Sequence, residues 1–156
     1  MYVTASPSAS QLTSDTARRY VVPGLSAGAV FLAIELLAGA FTTDLWRFPS
    51  AIAETIGVNS PLSPALGVVI HFTCSALLGA LFVAFAERFQ VRGRKLLAAG
   101  VLFMLAESSI SIWLVLHTLF PTTLPILFAA VPFPASLLGR IMFGVVLAEV
   151  YARIQR

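Results

Sequence analysis

Four apolar runs, separated by short polar or proline-rich connections, decide most of what this chain can become. They cover about 20–41, 65–86, 96–116 and 135–151, lengths that match the roughly 20 helical residues needed to cross hydrocarbon. Lipid offers a backbone N–H or C=O no water to bond, so each run must satisfy itself as a helix. Composition points the same way. Of the 156 residues, 58% are hydrophobic and 11% charged, against about 25% charged in a soluble domain. The expected fold is an all-α membrane protein of four transmembrane helices, a single domain over 20–156 behind a flexible cytoplasmic tail over 1–19.

Residues 1–17 are rich in Ser, Thr and Ala and hold one acid, Asp15, and no base, too little apolar surface to fold upon itself. A cleavable signal peptide is the rival reading of the first run, because Ala38-Gly39-Ala40 resembles a cleavage site. The length of the run and Glu35 inside it favour a mature helix. In the connection 42–63, Pro49 suits the first turn of a short helix. With Trp46 and Phe48 before it and Ile52 and Ile56 four apart, this segment is expected to lie in the interface. The connection 117–134 has no charge and four prolines. A second short helix is expected there over 124–130, lying on or dipping into the membrane.

The bases sort to one side. Arg18 and Arg19, then Arg88, Arg92, Arg94 and Lys95, then Arg153 and Arg156 flank the inner ends of the four runs, while the other connections hold Arg47 alone. This split of 8 against 1 puts both termini in the cytoplasm of a bacterial inner-membrane protein. A net charge of +3 therefore reads as a topology signal, and no basic aromatic surface suggests nucleic acid.

Each run nevertheless contains an ionisable residue, costly at the centre of a membrane helix by about 3 kcal/mol. In the first, Gly28, Phe31 and Glu35 stand at relative positions 1, 4 and 8; in the third, Gly100, Phe103 and Glu107 repeat them at an offset of 72. His71 and Arg140 serve the second and fourth, and aligning them pairs Ser75 with Gly144 and Gly79 with Ala148. The chain thus reads as one helical hairpin used twice, the copies parallel. At 1.5 Å per residue all four ionisable groups fall roughly 17–22 Å above the inner ends, one polar layer. Small residues share their faces: Gly24, Gly28 and Gly39 with Glu35, Gly67, Ser75 and Gly79 with His71, Gly100 with Glu107, and Gly144 and Ala148 with Arg140. Such stripes allow close helix approach in lipid. Arg140 is expected to be held by Glu35, Glu107 or both, with His71 hydrogen-bonded nearby. At the inner ends, Glu87 and Glu149 are expected to pair with Arg88 or Arg153.

The segment Gly67-x-x-x-His71-x-x-x-Ser75-x-x-x-Gly79, with Arg140-x-x-x-Gly144 before the end, resembles small four-span bacterial inner-membrane proteins of the YagU-like kind. That resemblance implies the four-span outline. It would also imply a second histidine where this chain has Arg140.

Enzymatic motifs are missing from the sequence. There is no phosphate loop, no Gly-x-Ser-x-Gly and no Cys-x-x-Cys-His. Cys74 is the sole cysteine, which excludes an intrachain disulfide and a Cys-based metal site. His71 and His117 lie at levels roughly 10 Å apart, too far for a shared haem. Ser108, Ser109 and Ser111 beside Glu107 lack a histidine base and suit helix-to-helix hydrogen bonding. No metal site is expected, and the sequence names no cofactor. The expected function is a non-enzymatic accessory or structural subunit of a larger membrane complex, partnered by other subunits or by itself. A small oligomeric proton- or ion-coupled transporter using Glu35, His71, Glu107 and Arg140 is the alternative. Pigment, quinone or haem binding between helices is a weaker one.

Overall fold

A computed structural model describes residues 9–42, 44–111, 130 and 132–156, the side chains of 9–13 and 42 excepted. The described elements are α1 (Ala9–Thr42), α2 (Arg47–Glu54), α3 (Ser63–Arg88), α4 (Lys95–Ile110) and α5 (Phe133–Ile154). Three of them, α1, α3 and α5, are long and apolar enough to cross a membrane. As described, α4 is 16 residues, about 24 Å of helix, and falls short of that length. Residues 112–116 of the expected third span, and the short helix expected over 124–130, lie outside the described residues except for Ala130.

Contacts order the helices as a row, α3 against α1, α1 against α5 and α5 against α4, with α2 laid on α3. Neighbours run antiparallel. Along α1, Tyr20 meets Glu87, Gly24 meets Gly79 and Gly28 meets Ser75 of α3, the numbers falling on one helix as they rise on the other. Arg19 of α1, Arg92 of the α3–α4 turn and Gln155 after α5 line one pocket, so these three segments share an end of the bundle.

Glycines set the crossings. A Cβ on Gly24 would collide with the Ser75 carbonyl, and one on Gly28 with the Ser75 side chain. In the second hairpin, a Cβ on Gly100 would collide with the Gly144 carbonyl and stand 3.1 Å from the Ala148 Cβ. Gly28 is equivalent to Gly100, and Ser75 to Gly144, in the internal alignment; the repeated positions make the repeated contact. In lipid the apolar side chains gain little from one another's company, so such backbone proximity is the main source of helix association.

The remaining small residues do different work from that expected. Gly39 packs on the Asp44 carbonyl of its own connection, not on another span. Gly67 makes room for the Pro49 carbonyl, which seats α2 on α3. That short helix buries Pro49, Ala51 and Ala53, leaves Trp46 46% exposed and ends before Ile56, which is also exposed. An Arg47–Glu54 ion pair at 2.6 Å spans its length.

At its other extreme the first helix corrects the sequence. Residues 9–19, expected to belong to a flexible tail, are helical. Once a long span has nucleated, each further residue adds a hydrogen bond without a new nucleation cost, so Ala and Gln before Arg18 extend it. Pro23 lies inside α1 and is buried.

Candidate functional site

The four ionisable residues come from α1, α3, α4 and α5 as the sequence assigns them, but they do not converge on a single cluster. Glu35 is fully buried, and among the described residues neither of its carboxylate oxygens has a hydrogen-bond partner. Its Oε1 lies against α5 at Gly139, where a Cβ would stand 3.4 Å away. The Phe31 ring, one turn earlier, fills the rest of that space, at 3.1 Å from the same position. Arg140 follows Gly139 in sequence, yet no ion pair within 4.0 Å joins it to Glu35 or Glu107 among the described residues. Its Nε donates to Ser136 Oγ at 3.4 Å, one turn back on its own helix.

The reason is angular. Successive residues of a helix point about 100° apart. On α5 the buried stripe Gly139, Phe143, Leu147 and Tyr151 faces α1 and α3, while Gly144 and Ala148 face Gly100 of α4. Arg140 belongs to the second stripe and Glu35 meets the first. The expected Glu35–Arg140 pair is therefore a near neighbourhood instead of a bond.

His71 makes the best-defined contact of the four. Its Nε2 lies 2.9 Å from the Gly28 carbonyl. A carbonyl only accepts, so Nε2 carries the proton. The ring stacks on Phe31 at 5.6 Å and 25°, and Phe48 and Phe72 stand edge-on to it. This ties α3 to α1 and holds the Phe31 ring between His71 and α5. His71, expected to be hydrogen-bonded near Arg140, is bonded to the Gly28 backbone of α1.

Glu107 stands apart. It is half-buried, and its hydrogen bond comes from Ser111 of the following turn. Ser108 and Ser109 bond the Met104 and Leu105 carbonyls at 2.6 and 2.9 Å, within their own helix where bonds between helices were expected. Among the described residues no three His, Cys, Asp or Glu side chains gather as metal ligands would.

A second polar cluster, at the basic end, ties three helices together. Glu87 of α3 takes an ion pair from Arg19 at 2.8 Å and hydrogen bonds from the Tyr20 hydroxyl at 2.7 Å and the Tyr151 hydroxyl at 3.3 Å. Gln155 Nε2 donates in turn to Tyr151 at 2.6 Å. The partners of Glu87 come from α1 and α5, not from Arg88 or Arg153. Glu149 does pair with Arg153, one turn on, at 3.6 Å. The signal missed in the sequence was a tyrosine at the basic end of each of two runs, Tyr20 and Tyr151, level with Glu87.

No family model, curated protein or solved structure matches the chain. Function must therefore be argued from these side chains alone. Among the described residues Glu35 is buried with no donor, and Glu107, half-exposed on α4, has one, from Ser111 of the following turn.

Proposed function

We propose that this chain is a non-enzymatic integral protein of the bacterial inner membrane, crossing it four times with both termini cytoplasmic, and that it serves as an accessory subunit of a larger membrane complex. Four crossings are supported by Arg19, Arg92 and Gln155 lining one pocket: with α5 crossing, its end shares a face with the α3–α4 turn only if the chain changes face once between that turn and the start of α5. The bases at that end support the orientation.

The observation that carries the partner reading is Glu107. A half-exposed carboxylate on an apolar helix, with one donor from its own chain, faces a cost of about 3 kcal/mol in hydrocarbon. A neighbouring subunit with a donor at that level removes it. The outward surface leaves room, since only 28–39% of each spanning window is buried within the chain. Native mass spectrometry after extraction in mild detergent tests this. Wild type should leave the membrane with a partner protein or a second copy, and Glu107→Leu should leave alone. A wild type that emerges as a lone monomer, with Glu107→Leu no different, contradicts it.

Glu35 favours a second reading, proton or ion handling, because an internal carboxylate without a donor is what a transient cation or proton would occupy. Proteoliposomes should then show pH-driven flux that Glu35→Gln abolishes. No flux, or flux unchanged in that variant, removes this reading and leaves the first intact.

A further inference from the structure

The basic end carries a built feature that neither Glu35 nor Glu107 explains. A pocket of about 490 Å3 opens there, lined by Arg19 of α1, Arg92 of the α3–α4 turn, and Ile154 and Gln155 at the end of α5. The turn itself is shaped by two left-handed residues, Gln90 at φ 52° and Gly93 at φ 60°. They reverse the chain and leave Arg92 exposed. Charge at this end is lopsided: eight Lys and Arg stand against Asp15, Glu87 and Glu149. Glu87 is already met by Arg19, and Glu149 by Arg153. No ion pair among the described residues uses Arg92.

A pocket lined by two arginines, one of them shared with Glu87, and by Ile154 suits an anion attached to something apolar. We propose that it binds the phosphate of an anionic phospholipid headgroup, with Arg92 and Arg19 supplying donors and Ile154 lying beside the start of the acyl region. A phosphodiester presents two non-bridging oxygens that match the guanidinium fork, and basic pockets between helix ends on the cytoplasmic side suit such headgroups. Free inorganic phosphate shares the charge but has no use for Ile154. The inference rests on the membrane reading and is independent of the accessory-subunit reading.

The test titrates the purified full chain in neutral detergent with phosphatidylglycerol, phosphatidylcholine or inorganic phosphate and counts bound ligand by native mass spectrometry. Phosphatidylglycerol should be retained over phosphatidylcholine and not displaced by phosphate. Arg92→Gln should weaken its retention about five-fold, the contribution of one base near an anionic surface, and Arg92→Lys should keep most of it. Arg92 lies outside the Glu87 cluster, so the variant should fold, and Arg47→Gln at the opposite end should match wild type. Equal retention of the two lipids, an unchanged Arg92→Gln, or binding of phosphate alone overturns the proposal. None of these outcomes alters whether a partner protein accompanies the chain.

Discussion

Glu35 is the residue on which sequence and structure bear most sharply. Both single it out, the sequence because an acid interrupts an apolar run and the structure because nothing in the described chain bonds it. A group that costs energy where it sits should be replaceable at a gain. Glu35→Leu is expected to raise the thermal unfolding midpoint in detergent, by the equivalent of about 1–3 kcal/mol, whatever it does to function. A lower midpoint would mean that the carboxylate is held by a bond after all. The glycines behave in the opposite sense. Gly24→Ala and Gly144→Ala each drive a Cβ into a facing backbone and should cost about 1–3 kcal/mol, read by unfolding in detergent. Unchanged stability would show that the crossings are looser than described. Gly139 was not legible beforehand. It lies one residue off the stripe of Arg140, Gly144 and Ala148, so the small-residue spacing did not pick it out.

At the scale of elements, two close crossings were legible because backbone proximity needs small side chains at fixed intervals. Gly28 lies against Ser75 and Gly100 against Gly144, whereas the extensive packing of α1 on α5 has no match of similar extent between α4 and α3. What ties the helices laterally was less legible, since it depends on which residues meet across elements distant in sequence. The Glu87 cluster joins α1, α3 and α5 through Arg19, Tyr20 and Tyr151. Glu87→Ala should therefore loosen all three, costing about 1–3 kcal/mol because two hydroxyls and a guanidinium lose a charged acceptor. Hydrogen exchange should show faster exchange at the ends of α1 and α5 that meet Glu87 as well as in α3. Faster exchange confined to α3 would make the cluster a surface contact of no consequence. The tail over 9–19 was misread for a related reason: residue composition speaks to whether a segment folds alone, not to whether an adjacent helix extends through it.

For the whole molecule, hydropathy and the distribution of bases carried the reading furthest. The three long apolar helices were legible as spans because a membrane demands length and apolarity of each one separately. The polar layer was harder, since depth along a helix follows from counting while the direction of a side chain depends on how neighbours rotate. Arg140, expected to be held by Glu35 or Glu107, instead bonds its own Ser136, and His71 bonds the Gly28 backbone. Accessory role, lipid pocket and orientation all assume that the chain passes through the bilayer an even number of times with its basic end inside. Single cysteines placed in a Cys74→Ser background and labelled with a membrane-impermeant maleimide, on intact spheroplasts and on inverted vesicles, test that assumption directly. Arg92→Cys and Gln155→Cys should label only in inverted vesicles, and Asn59→Cys only in spheroplasts. Labelling of Arg92→Cys and Gln155→Cys from opposite sides would give an odd number of crossings and contradict the account.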